Sequence, residues 1–143
     1  MKIDTIIFDL VGKDIDNIES IISVEYDKDD KWQGLKGKEL KEALEYGDIG
    51  EIDGLSAPDV ELQYNKEHRN FDVKMYHDRK QKYIFVGETP RKYTDTILYY
   101  LNNHLHISAM FFGGNFKTLG LFDKEVKEYS RAIQITLYID VYA

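Results

Sequence analysis

The clearest pattern lies at the end of the chain. In 133–142, IQITLYIDVY, the residues Ile133, Ile135, Leu137, Ile139 and Val141 alternate with Gln134, Thr136, Tyr138, Asp140 and Tyr142. Successive side chains of a strand point to opposite faces, so this period of two predicts a half-buried β-strand. Residues 3–11, IDTIIFDLV, read the same way, with Ile6, Phe8 and Leu10 on one face and Gly12 as the stop. The period then changes. Ile15, Ile18, Ile21 and Ile22 have the spacing of one helix face, and Asp14 or Asp16 suits the N-cap of a helix running to about Ser23. The charged stretch 25–34 reads as loop. KELKEALEY (38–46) reads as a short helix with Leu40, Ala43 and Leu44 on one side and Gly47 where a left-handed C-cap belongs. Residues 47–59, with three Gly and a Pro, read as loop.

Three strands follow, at 60–65, 70–76 and 81–87. Turn-prone Asn65–Lys66 and His77–Asp78 separate them, which predicts a meander. Thr89–Pro90 suits the start of a helix reaching about Asn103, with Tyr93, Ile97, Leu98 and Leu101 facing in. Residues 104–112 predict a strand ended by Gly113–Gly114, and Asp123 a helix cap for a segment reaching about Arg131. The order predicts an α+β fold, a largely antiparallel sheet with helices packed on one face. Strand–Gly–helix at 3–23 echoes strand–Gly–Gly–loop–helix at 105–131, as a ferredoxin-like duplicated strand–helix unit would. At 143 residues, a single domain over 1–143 is expected.

Charge changes this picture more than composition does. Residues 1–63 carry 7 Lys/Arg against 17 Asp/Glu, whereas 64–143 carry 12 against 9, within a formal net charge of −7. An acidic half suits a basic protein partner, and the net charge argues against general nucleic-acid binding. With no Cys, disulfides, thiolate metal sites and cysteine nucleophiles are excluded, which fits a reducing cytoplasm. The start does not have the form of a signal peptide, and no apolar run approaches the roughly 18–20 residues of a membrane helix. The expectation is a soluble, cytoplasmic protein without a membrane partner. The 11 Tyr and 7 Phe suit strand faces and protein interfaces.

Candidate chemistry is sparse. IIFDLVGKD (6–14) has the Asp9 and Gly12 of a haloacid-dehalogenase-type phosphatase motif. Val11 stands where that motif needs a second Asp, and a Val cannot protonate a leaving group. Asp27-Lys28-Asp29-Asp30-Lys31 fails as a calcium loop, because Trp32 and Lys38 occupy the positions of the required Gly and Glu. His104 and His106 share a strand face about 7 Å apart. His106-x-Ser108 is half of the paired signature of two-histidine phosphodiesterases, and there is no second copy. Gly113–Gly114 after a strand invites a phosphate-loop reading, but no Walker Lys follows. Arg79, Lys80, Lys82, Arg91 and Lys92 form a basic cluster in sequence that suits phosphate, an acidic patch or a second copy of the chain.

The strand, Gly12, Asp14, Asp16 and Ile-rich helix at the front, with Trp32 to Gly34 or Gly37, belong with HISAMFF, Gly114-Asn115, Leu119 and ITLYIDVY at the back. Together they resemble the bacterial family DUF4279, a domain of unknown function. The resemblance covers about half the chain, implies an α+β fold, and transfers no catalytic residue.

The leading expectation is a non-enzymatic acidic protein that docks on and neutralises a basic protein, in the manner of toxin-immunity proteins or phage anti-defence inhibitors. Tyr26, Asp27, Asp29, Asp30 and Trp32 would form the docking surface. The alternative is a binder or sponge for a nucleotide or other anion, using Arg79, Lys82, His104, His106, Gly113 and Gly114. A further alternative is a phage structural subunit, and the basic cluster pairing with the acidic half of a second copy would give a homo-oligomer. No catalytic residue, metal or cofactor is assigned.

Overall fold

The computed structural model describes residues 1–143 apart from the side chains of 28 and 29. Asp29, expected in the docking surface, therefore lies outside the described residues. The elements are β1 (Lys2–Asp9), α1 (Ile15–Glu25), a 3₁₀ segment (Lys28–Gly34), α2 (Gly37–Leu44), β2 (Ile49–Ser56), β3 (Val60–Asn65), β4 (Asn70–His77) and β5 (Lys82–Glu88). They continue with a 3₁₀ turn (Arg91–Tyr93), α3 (Thr94–Tyr99), β6 (His104–Leu119) and β7 (Val126–Tyr142). The strands form two antiparallel sheets, ordered β1-β7-β6-β2 and β3-β4-β5, so the fold is α+β. By backbone contacts the chain divides into two compact units. One comprises Met1–Glu25, Ser56–Met110 and Ile135–Ala143, the other Tyr26–Leu55 and Phe111–Gln134.

In the first unit the expected period of two is realised along β7. Ile135, Leu137, Ile139 and Val141 are fully buried beside Ile6 and Phe8 of β1, which pair with Ile139 and Leu137. Each such side chain contributes roughly 1.5–3 kcal/mol on burial. The meander is as expected, with Val60 opposite Met75 and Asn65 opposite Asn70. Asp14 caps α1 by accepting the Asn17 N–H at 3.1 Å, and the Asn17 side chain donates to the Phe85 carbonyl at 2.7 Å. These two bonds seat α1 on the meander, where Ile18, Ile21 and Ile22 are buried. A two-way backbone bridge joins Val11 to Glu88, at 2.9 and 2.7 Å.

The second unit has its own small core. Leu40 and Leu44 of α2 meet Ile49 of β2, with Trp32, Leu35, Ala43 and Leu119 packed around them.

Several sequence expectations are corrected. Residues 47–59 are mainly the strand β2 rather than loop. The strand expected to stop at Gly113–Gly114 continues through both glycines to Leu119. The helix expected over 123–131 is absent: its C-terminal part opens β7, and Asp123 closes a turn by accepting the Glu125 N–H at 3.0 Å. A strand partner supplies backbone hydrogen bonds that local helix propensity cannot match. Without that helix, the ferredoxin-like echo has no second half. The segment 25–34 contains a 3₁₀ element, broken at Lys31 and followed by Trp32 and Gln33 at φ near +58°. The helix after Pro90 is short. Ile97 is buried, Leu98 and Leu101 are exposed, and Tyr93 stacks on Phe8 at 4.8 Å. At α2 the C-cap is Glu45 in right-handed conformation, not Gly47 in a left-handed one.

Candidate docking surface

The second unit carries most of the residues expected to dock a partner. Tyr26 and Trp32 are half-buried, not free anchors. The Tyr26 ring meets Phe111 edge-on at 6.4 Å. Trp32 packs on the Leu40–Leu44–Ile49 core, with the Lys117 ammonium 4.2 Å over its ring. Lys31 pairs with Glu51 at 3.1 Å, and Gln33 donates to Asp53 at 3.3 Å. Asp27 and Asp30 remain exposed, and the Asp30 carboxylate accepts the Asp27 N–H at 3.0 Å, which closes their loop. Asp27 and Asp30 are exposed, while Tyr26 and Trp32 pack within the unit that carries them.

The strongest apolar exposure lies elsewhere in the same unit. Phe122 is 96% exposed, Tyr46 93% and Leu121 80%. Leu121 and Phe122 sit in the turn between β6 and β7. Beside them a groove of about 630 Å³ is lined by Leu44, Tyr46, Leu119 and Leu121, among others. Scattered single apolar residues on a surface are ordinary, but two large ones lining one groove, with a third next to them in the chain, are not. The turn is well braced. Gly120 N–H donates to the Glu125 carbonyl at 2.8 Å, and Lys127 pairs with Asp123 at 3.2 Å. The Glu125 N–H, and then Lys127, hold the Asp123 carboxyl below its usual range. Below the tip, Phe116 stacks on Tyr129 at 5.5 Å and the Arg131 guanidinium lies 4.3 Å over Phe116. Glu45 and Asp48 border the groove and make no ion pair among the described residues. A sequence signal for the tip exists: Gly120-Leu121-Phe122-Asp123 places two large apolar residues where a turn ordinarily holds polar ones.

The residues expected around an anion are spread over both sheets and both units. His104 and His106 stand exposed on β6 of the four-stranded sheet, the His104 ring 6.0 Å from Tyr142. Arg79 and Lys82 project from the β4–β5 turn of the three-stranded sheet. Gly113 and Gly114 belong to the other unit. The basic cluster also divides. Arg91 and Lys92 follow the far end of β5, a seven-residue strand about 20 Å long. A depression of about 360 Å³ on the outer face of β6 and β7 is lined by Ser108, Tyr138 and Asp140. It presents a carboxylate rather than a cation.

Two further histidines in the first unit were not singled out from sequence. His77 is 2% exposed, and its Nε2 lies 2.8 Å from the Ser20 hydroxyl, the spacing of a nucleophile and its base. Its Nδ1, however, accepts the Lys80 N–H at 3.1 Å. A neutral imidazole has one donor and one acceptor nitrogen. Nε2 therefore carries the proton and donates it to Ser20, so His77 braces α1 against the meander and is not set to receive the serine proton. His68 donates from Nδ1 to the Glu88 carboxylate, and that hydrogen bond and charge hold its imidazolium above the usual histidine range. Gly12, at φ +55°, makes room for the same carboxylate: a Cβ there would stand 2.5 Å from Glu88 Oε2. Nearby, Asn70 donates to the Thr89 carbonyl at 3.1 Å, while its buried Oδ1 has no partner. Among the described residues no three His, Asp or Glu side chains converge as metal ligands. No described helix is long and apolar enough to cross a membrane.

Comparison with protein-family models, with curated proteins and with solved structures finds no match to the chain.

Proposed function

We propose that this is a binding protein of the immunity or inhibitor kind, docking a basic protein through its second unit and blocking it. The observation that carries this reading is the exposure of Leu121 and Tyr46 at one groove, with Phe122 exposed next to Leu121 on a braced hairpin tip. A few buried aromatics supply most of the energy of an interface. Burying a side chain such as Phe122 adds roughly 1.5–3 kcal/mol. The exposed carboxylates Asp27, Asp30, Glu45 and Asp48 of the same unit act at longer range. They speed encounter with a cationic partner and make it salt-dependent.

The test is capture from host lysate by the tagged full chain, at low and high salt, beside Phe122→Asp and an Asp27→Lys/Asp30→Lys variant. The expected result is a stoichiometric basic protein that is released by salt and lost with Phe122→Asp. The charge reversal lowers its association rate more than it raises its dissociation rate. Equal capture by wild type and Phe122→Asp, or an empty lane at low salt, would overturn the reading.

A further inference from the structure

The first unit carries a surface that complements the tip. The β4–β5 turn presents Arg79, Lys80 and Lys82, all exposed, with Asp78 as the one acidic residue among them. None of the three cations makes an ion pair among the described residues. Beside them Tyr76 and Tyr83 are paired across the strands with rings edge-on at 5.4 Å, and Tyr83 is 38% exposed. The turn is held in shape from beneath. The Lys80 N–H donates to His77 Nδ1, and the Gln81 N–H donates to the His77 carbonyl at 2.8 Å, with Gln81 at φ +51°. A preorganised turn loses little freedom on docking.

The two surfaces differ in the sign of their net charge. The tip offers Leu121 and Phe122, and the groove beside it Tyr46 with the unpaired carboxylates Glu45 and Asp48 and one lysine, Lys124. The turn offers unpaired cations beside an aromatic pair. Resting on the docking reading of the tip, we infer that without its basic partner the tip is occupied by a second copy of this chain, whose Arg79–Lys82 turn and Tyr76–Tyr83 pair seat on the Leu121–Phe122 tip. Such a contact is heterologous: each copy uses one surface of each kind, so copies join head to tail.

The experiment is sedimentation of the full chain over rising concentration, at low and high salt. It includes a turn variant (Arg79→Glu, Lys80→Glu, Lys82→Glu) and a tip variant (Phe122→Asp), each checked for an unchanged melting temperature. Phe122→Ser replaces the tip variant if that check fails. Wild type is expected to grow beyond its 16.8 kDa monomer at low salt and return to it at high salt. Each variant alone stays monomeric. An equimolar mixture of the two has one intact contact per pair, so its mass rises twofold and stops at a dimer. A wild type that stays monomeric, a mixture that stays monomeric, or variants that assemble like wild type would each overturn the inference. A monomeric wild type whose lysate partner is still lost with Phe122→Asp overturns self-docking and leaves the docking reading standing.

Discussion

Replacing Gly113 with Ala separates a structural glycine from a ligand-binding one. Gly113 lies inside β6 at φ +99°, where an L-residue is strained. A Cβ there would overlap the Ala132 carbonyl oxygen, with the Ala132 carbon at 3.2 Å and Ile133 Cα at 3.3 Å. All three obstacles are backbone, so no rotamer change relieves them. The backbone conformation costs about 1–3 kcal/mol, and forcing an extra carbon into a packed contact about 1–3 kcal/mol more. Together that is about 2–6 kcal/mol, a fall of roughly 8–24 °C in Tm at about 4 °C per kcal/mol for a chain of this length. Gly50→Ala is the control, because its φ is ordinary and its Cβ would come no closer than 3.6 Å, to the Ile52 carbonyl. The assay is urea denaturation of both variants, with thermal melts alongside. If Gly113→Ala melted within about 2 °C of wild type, the close approach of the two strands would be refuted. A phosphate-cradling role would then regain weight, because that role predicts lost binding with stability intact.

Three further outcomes are expected. His77→Ala removes the partner of the Lys80 N–H and of the Ser20 hydroxyl from a buried position; the expected loss is about 3–5 kcal/mol in chemical denaturation, and a loss under about 1 kcal/mol would contradict the brace. Phe122→Ser, at a 96% exposed site, should leave stability within about 0.5 kcal/mol while changing association; a large loss of stability would mean the tip is packed in the folded chain. The Glu88 carboxylate raises the His68 pKa above 6.5, so this bond stabilises the fold fully below that value and its contribution fades as pH rises through the folded pKa. The stability gap between wild type and His68→Ala should therefore narrow from acidic to alkaline pH, and a gap that widens would contradict the assignment.

Charge was legible in the sequence, but not its distribution in space. The acidic residues 1–63 are shared between the two units, because 1–25 and 56–63 fold with the first and 26–55 with the second. Tyr26 and Trp32, read as anchors, pack within the unit that carries the acidic loop. Leu121 and Phe122 are exposed at the β6–β7 turn, next to a segment that the sequence predicts as a helix. The basic residues 79–92 form one cluster along the chain and two places in the fold, since β5 separates them by its own length.

Where each residue's fate follows from its near neighbours, the sequence alone was sufficient. The alternation of 133–142, the three-strand meander, and α1 with its Asp14 cap are periodic patterns that only one face can bury. An antiparallel meander also needs only short turns between strands. What joins distant parts of the chain was decided by tertiary structure: the Ser20–His77 bond, the His68–Glu88 bond with Gly12 behind it, and β6 carried through two glycines to its hairpin partner. Residues 126–132 have no clean period of their own. They are strand because a neighbouring strand satisfies their backbone hydrogen bonds, and that pairing leaves Leu121 and Phe122 at the tip in solvent.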